Sequence, residues 1–204
     1  MKQTLKQQQQ YVLYLFLICW GLGGGLIAQE LSPFAQRIRA QLLESIKVEN
    51  MSERERLWIG REVTDQTFTD LEGEKLRFQD YQGKIIVLNF WNNKCPPCIS
   101  EFPILNKIVE HYAEDKRILF WAFAANTKAE VETVMQKAPF AYRLIPDPEA
   151  TAMQYFKGEG NPIQMIIDPE GKVAFRYLGV LPEFALQAKI EEQLALLPQA
   201  KLLD

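Results

Sequence analysis

Cysteine and histidine are scarce in this 204-residue sequence, which has three cysteines and one histidine. So few cysteines exclude a disulfide-rich scaffold. Structural zinc sites use four ligands, and only Cys95 and Cys98 lie in the globular part of the chain. Haem attachment would need a histidine directly after Cys98, where Ile99 stands. We therefore expect neither a metal nor a cofactor.

The chain also lacks a strong net charge. Its formal charge is −3 at pH 7, whereas a nucleic-acid-binding protein would need a basic face. We therefore expect no nucleic-acid partner. The length suits one compact domain with additional segments.

One long stretch, from Tyr11 to Ala28, has no charged residue. A helix of this length spans about 27 Å, just enough to cross the core of a bilayer. Two lysines precede the stretch, which places residues 1–10 in the cytoplasm and the bulk of the chain outside it. We predict an uncleaved transmembrane signal anchor at residues 11–28. The alternatives are a cleaved signal peptide, a lipoprotein signal at Cys19 and a buried core helix.

Residues 29–58 are predicted to form a helical connector. Four apolar residues recur at intervals of four, at Phe34, Ile38, Leu42 and Ile46. The stripe favours a helix that packs on its own domain or serves as a stalk. A docking helix or a membrane-surface helix is the alternative.

A globular domain is predicted over residues 59–204, where strand patterns alternate with helical patterns. A hairpin pattern surrounds Asp70–Gly73, and a second hairpin and a helix end the chain. This alternation predicts an α/β sandwich. After the first hairpin, strands are predicted at Ile85–Phe90, Ile118–Ala125, Tyr142–Ile145, Ile163–Ile167 and Lys172–Tyr177, of which the last two form the second hairpin.

The stretch from Lys84 to Cys98 organises this domain. Its apolar, β-branched run predicts a strand buried on both faces. Apolar residues then recur at helical spacing from Leu105 to Tyr112. Because proline is favoured in the first turn of a helix, Pro96 and Pro97 put the cysteines where the strand gives way to the helix.

This position suits thiol chemistry. The positive end of the helix dipole and its unpaired N–H groups favour the thiolate form of Cys95. Cys98, about one turn inside the helix, can close a small ring with Cys95 as a resolving thiol. The alternatives are a static disulfide and half of a zinc site.

The segment around the cysteines resembles the active site of thioredoxin-fold proteins, and more narrowly of the membrane-anchored TlpA/ResA-like thiol–disulfide oxidoreductases. The resemblance extends from about Ile59 to the C-terminus. It implies a thioredoxin-like fold, with a central mixed β-sheet flanked by helices and an N-terminal β-hairpin extension. The segment that carries it is Phe90-Trp91-x-x-x-Cys95-Pro96-Pro97-Cys98-x-x-Glu101-x-Pro103.

The same resemblance implies roles for further residues. Pro162, after Asn161, corresponds to the family's cis-proline, which faces the two cysteines and presents a backbone edge to a substrate peptide. Glu101 corresponds to the glutamate that manages the protons of the cysteines. Asn89 stands where thioredoxin itself has a buried aspartate. The alternatives are an ordinary trans proline at Pro162 and a solvated surface carboxylate at Glu101.

Two positions depart from the family pattern. Lys94 stands where the family usually has tryptophan, and Ile163 stands where it often has threonine. The charge of Lys94 should help to ionise Cys95, while loss of the tryptophan changes the surface on which substrates dock. We expect Trp91, Lys94, Asn161 and Pro162 to form the substrate-binding surface.

Other activities on this fold fit less well. A peroxiredoxin would carry proline and threonine where Leu88 and Asn92 stand. A copper chaperone would use a CxxxC spacing, and His111 lies on the predicted active-site helix, where we expect it at the surface. A scaffold module with an idle disulfide and a disulfide oxidase or isomerase remain the alternative functions.

The expected function is therefore that of a membrane-anchored thiol–disulfide oxidoreductase acting outside the cytoplasm, in the periplasm, as a reductant. Cys95 attacks a substrate disulfide and Cys98 resolves the mixed disulfide. Because outside compartments are generally oxidising, a reductase there needs electrons from across the membrane. The resemblance implies a membrane donor of the CcdA/DsbD type. It also implies disulfide-containing protein substrates, such as apocytochrome c.

Overall fold

The computed structural model describes residues 32–47, 51–63, 66–156 and 160–197. The described residues from Arg39 onward form one compact unit, and residues 32–38 belong to a separate one. The predicted membrane anchor at residues 11–28 lies outside the described residues. Within the described ranges, no helix has both the length and the apolar character needed to span a bilayer.

The described elements follow one another in the order that the sequence pattern predicts. Strands and helices alternate through the middle of the domain, and a strand pair and a helix end it. The strands are β1 Thr67–Thr69, β2 Lys75–Arg77, β3 Ile85–Trp91, β4 Ile118–Ala124, β5 Arg143–Pro146, β6 Ile163–Ile167 and β7 Val173–Leu178. The α-helices are α1 Pro33–Ser45, α2 Glu53–Arg56, α3 Pro96–His111, α4 Lys128–Met135, α5 Thr151–Tyr155 and α6 Glu183–Leu196.

The central sheet has the order β5-β4-β3-β6-β7. Strands β3, β4 and β5 run parallel, and β6 and β7 join them antiparallel. The sheet is therefore mixed, as the resemblance implies. Every residue of β3 is buried, which confirms that this strand is covered on both faces.

Two hydrophobic clusters cover the two faces of this sheet. On one face, Val87 and Trp91 pack with Phe102 of α3 and Leu186 of α6. On the other face, the alternate residues of β3 pack with residues of the hairpin and of β4, including Leu76, Leu88 and Phe123. Because side chains alternate along a strand, β3 contributes to both clusters.

The hairpin of β1 and β2 docks against β5 through a partly buried ion pair. Arg143 donates from Nε to Oδ2 of Asp70 at 2.7 Å, and it also pairs with Glu74. The backbone N–H of Leu71 donates to the carbonyl of Leu144 at 2.8 Å. The extension is thus held by a side-chain pair and by a backbone hydrogen bond.

The connector packs on the domain over part of its length. Leu42 and Leu43, in the second half of α1, contact the core cluster, and Ile46 is fully buried in it. Met51 is also buried there, before the start of the hairpin. The domain boundary predicted at residue 59 stays a prediction, and the packed residues extend upstream of it.

Candidate active site

The two cysteines lie at the start of α3, directly after the loop that leaves β3. Cys95 is the N-cap residue, and its Sγ accepts a hydrogen bond from the N–H of Cys98 at 3.3 Å. Pro96 and Pro97 occupy the first turn, where no intrahelical N–H is needed. The sequence prediction for this segment is confirmed.

A disulfide joins Cys95 to Cys98. Cys95 retains 8% of its surface exposed, whereas Cys98 retains 0%. An attacking thiol must reach a substrate, and a resolving thiol needs to reach only the mixed disulfide. The difference in exposure therefore suits Cys95 for attack and Cys98 for resolution.

Hydrogen bonds to α4 hold the loop before Cys95. The N–H of Asn93 donates to Oδ1 of Asn126 at 2.8 Å, and its side chain donates to Glu130 at 3.3 Å. Glu130 also accepts from the N–H of Thr127, completing a capping box at the start of α4. The helix that follows β4 thus fixes the approach to the nucleophile.

The peptide bond between Asn161 and Pro162 is cis, as the resemblance implies. Because Ile163 pairs with Phe90 across β6 and β3, Pro162 lies at the end of the sheet where β3 leads into the cysteine loop. The carbonyl of Pro162 accepts a hydrogen bond from the N–H of Gly179 at 2.8 Å.

Glu101 lies one turn after Cys98 and is 1% exposed. Its Oε1 accepts a hydrogen bond from Nδ2 of Asn89 at 2.8 Å and another from Nε2 of Gln164 at 2.9 Å. Among the described residues, none offers a hydrogen-bond partner to the buried Oε2. This burial argues against the alternative of a solvated carboxylate on the helix surface.

Burial raises the pKa of Glu101 from 4.5 to about 7, because desolvation disfavours the carboxylate. The hydrogen bonds from Asn89 and Gln164 oppose this rise, because they favour the charged form. Near neutral pH the group is therefore present in both protonation states. A group with that property can accept a proton and return it.

Gln164 was not identified from the sequence as a site residue. It pairs with Asn89 across the antiparallel strands β6 and β3, so both amides lie on the face covered by α3. One signal was present in the sequence, since Gln164 is the only polar residue in the run Ile163–Ile167. A buried polar residue in an apolar strand needs a partner.

The other predicted site residues differ in how accessible they are. Lys94 is exposed, beside Cys95. Trp91 is fully buried and packs edge to face on Phe102, with ring centroids 5.1 Å apart. In this conformation Trp91 supports the site from beneath and presents no surface to a substrate. His111 is exposed, as expected.

Comparison with known proteins agrees with this geometry. Residues 59–176 match the AhpC/TSA family. The thiol–disulfide oxidoreductase ResA of Bacillus cereus strain ZK is 26% identical over 141 residues, which cover 69% of this chain and 82% of that protein. ResA of strain ATCC 10987 is 30% identical over 122 residues, which cover 60% of this chain and 70% of that protein.

A solved structure shares the fold. The crystal structure of a candidate thiol:disulfide interchange protein DsbE from Chlorobium tepidum superposes with a TM-score of 0.61 at 24% identity. The match covers 67% of this chain and 97% of that chain. With its cysteine pair at the start of α3, the chain belongs to the AhpC/TSA family of thioredoxin-fold proteins, and it is a thiol–disulfide oxidoreductase similar to ResA.

Proposed function

We propose that this oxidoreductase reduces disulfide bonds in proteins outside the cytoplasm, with Cys95 as nucleophile, Cys98 as resolving thiol and Glu101 as proton acceptor. One observation carries the proposal. A slightly exposed cysteine at a helix start lies one turn from a fully buried cysteine, and the helix also carries a buried carboxyl group whose pKa is about 7.

In the first step, the Cys95 thiolate attacks one sulfur of the substrate disulfide. An S–S bond forms between the protein and the substrate, and the second substrate sulfur leaves as a thiolate that takes up a proton. The helix start stabilises the attacking thiolate through its dipole and its free N–H groups.

In the second step, Cys98 gives its proton to Glu101 and attacks the Cys95 sulfur. The mixed disulfide breaks, and the remaining substrate sulfur leaves as a second thiol. The substrate has then gained two electrons from the protein and two protons, one from solvent for the first thiolate and one returned by Glu101 for the second, and Cys95 and Cys98 are oxidised. Burial of Cys98 opposes its ionisation, which is why a nearby base is needed.

The oxidised protein must be reduced again before a second turnover. In an oxidising compartment this requires a two-electron donor in the membrane, which we propose to be of the CcdA/DsbD type. The uncharged run at residues 11–28 supports anchoring of the protein to the same membrane. Apocytochrome c, or another oxidised secreted protein, is the proposed substrate.

We propose that the substrate docks on the cis-proline loop and beside Lys94. The Asn161–Pro162 segment lies at the end of the sheet where the cysteine loop begins, and an extended peptide could pair with the backbone of this segment. Lys94 is exposed and adds a positive charge next to the nucleophile. Trp91 would act through packing alone.

Trapping of the mixed disulfide tests the assignment of the two cysteines. Cys98→Ser cannot resolve the intermediate, so it should accumulate disulfide-linked partners on non-reducing gels. Cys95→Ser should trap none at this site, because Cys98, the remaining thiol of the pair, is buried. Equal trapping by both variants would contradict the assignment.

A further inference from the structure

Gln164 donates a hydrogen bond to Glu101, the proposed proton acceptor. Its Nε2 donates to Oε1 of Glu101 at 2.9 Å, from the strand that follows the cis-proline. Asn89 donates to the same oxygen at 2.8 Å, from the neighbouring strand. Two amides on paired strands therefore converge on one carboxylate oxygen.

This convergence distinguishes the two oxygens of Glu101. Each carboxylate oxygen has two lone-pair sites. The two amide donors occupy both sites of Oε1, and a proton added there would collide with an N–H that already points at that oxygen. Oε2 has no such donor among the described residues. A proton taken up by Glu101 therefore binds Oε2.

We propose that Gln164 is a positioning residue, which together with Asn89 saturates Oε1 and so assigns the transferable proton to Oε2 of Glu101. The proposal deepens the proposed function, since it rests on Glu101 as proton acceptor. It adds a specific requirement, namely an amide donor on β6 two residues after the cis-proline.

The cost of burying Gln164 supports a role beyond stability. Its side chain is fully buried in a strand whose other residues are apolar. The acceptor oxygens of Gln164 and of Asn89 are also buried, and neither has a hydrogen-bond partner in the part of the chain that the structure describes. An apolar side chain would avoid this cost, because unpaired buried polar atoms destabilise a fold. The presence of the two amides is better explained by the hydrogen bonds that they donate to Glu101.

The titration of Glu101 can be measured in the presence of the groups that surround it. Cys98 lies on the same helix, while Asn89 and Gln164 approach from β3 and β6. Tyr142 lies just before β5. Burial, and to a smaller extent the charge of Glu101, raise the pKa of the Tyr142 hydroxyl above the usual range. Tyr142 thus stays neutral across the range in which Glu101 titrates.

The test uses Gln164→Met, which keeps the length of the side chain but removes the donor. The carboxyl group of Glu101 is titrated by carbon-13 NMR in the oxidised full-length protein. The midpoint should rise by about one pH unit, because one hydrogen bond to the charged form is lost. The pH profile for single-turnover reduction of a small disulfide should move to higher pH by the same amount.

Two controls separate positioning from simple loss of structure. Met165→Leu alters the next residue of β6, which packs on the opposite face of the sheet, and should leave both midpoints unchanged. In a Glu101→Gln background, Gln164→Met should cause no further loss of rate, because the group that it positions is already gone. Gln164→Ala repeats the test if Gln164→Met does not fold.

The outcomes distinguish this inference from the proposed function. An unchanged NMR midpoint in folded Gln164→Met would overturn the positioning role, even if Glu101→Gln is slow. A raised midpoint with an unmoved pH profile would overturn it as well. A Glu101→Gln variant with the full rate of the wild type would instead refute Glu101 as proton acceptor.

Discussion

Replacing Glu101 with glutamine separates the chemical role of this carboxyl group from its structural cost. Glutamine keeps the shape, and its oxygen can still accept from Asn89 and Gln164. The variant loses the ability to ionise and carries an NH₂ group in place of Oε2. We expect it to be more stable than the wild type at neutral pH and also slower, a combination that damage to the fold would not produce.

The gain in stability follows from the pKa of Glu101. That pKa rises from 4.5 to about 7 on folding, so the folded state favours the neutral carboxyl. The wild type is therefore penalised little below pH 4.5, and increasingly as the pH rises towards 7. A rise of this size corresponds to about 3 kcal/mol of unfolding free energy above pH 7. Glu101→Gln should recover up to this amount at pH 8 and almost none at pH 4.5.

The loss of rate follows from proton transfer. General-base catalysis typically contributes 10²-fold or more, so reduction of a small disulfide near pH 7 should slow by about 10²-fold. In the wild type the rate should rise with pH, with a midpoint near the pKa of Glu101, because the carboxylate is the active form. In Glu101→Gln this step in the profile should disappear.

The assay combines urea denaturation of the oxidised proteins at pH 4.5 and pH 8 with stopped-flow reduction of a small disulfide by the reduced proteins. Glu110→Gln, an exposed position on the same helix, is the matched control and should change neither quantity. Equal stability of Glu101→Gln and the wild type at both pH values would contradict the raised pKa, since Glu101 would then titrate normally.

Two further substitutions test the surroundings of the site. Lys94→Trp removes the charge beside Cys95, so the pH dependence of the alkylation rate of that thiol should shift to higher pH. An unchanged pH dependence would mean that the lysine does not act on the sulfur. Arg143→Met leaves the buried Asp70 without its cation and should cost about 2 kcal/mol at neutral pH. Burial alone would raise the pKa of Asp70, but pairing with Arg143 and hydrogen bonds from the backbone hold it below its usual range. The contribution of the pair is therefore present above pH 3.8 and is lost on acidification below that value. Urea curves of Arg143→Met that show the same loss at pH 3 and pH 7 would contradict an electrostatic role.

Features set by local sequence were predictable. The buried run Ile85–Phe90 and the prolines at the helix start are sufficient to place Cys95 and Cys98. The position of Glu101 follows from helical spacing, because it lies one turn after Cys98 and on the same side. The order of strands and helices after the hairpin also follows from hydrophobic periodicity.

Features set by pairing between distant segments were not predictable. Gln164 meets Asn89 and Glu101 only because β6 pairs antiparallel with β3, in a register that no local pattern shows. The burial of Ile46 fits the predicted connector helix packed on its own domain, but its contact partners were not predictable. An apolar stripe predicts a helix, but it does not show what the helix packs against.

The reduction potential of the Cys95–Cys98 couple decides the direction of electron flow, and therefore whether the protein acts as a reductant. Equilibration of the full-length protein with a defined dithiol–disulfide buffer, followed by counting of free thiols, gives the value. A reductant should have a potential close to that of thioredoxin, about −270 mV. A value near −120 mV would mark an oxidant of the DsbA type and would contradict the proposed function.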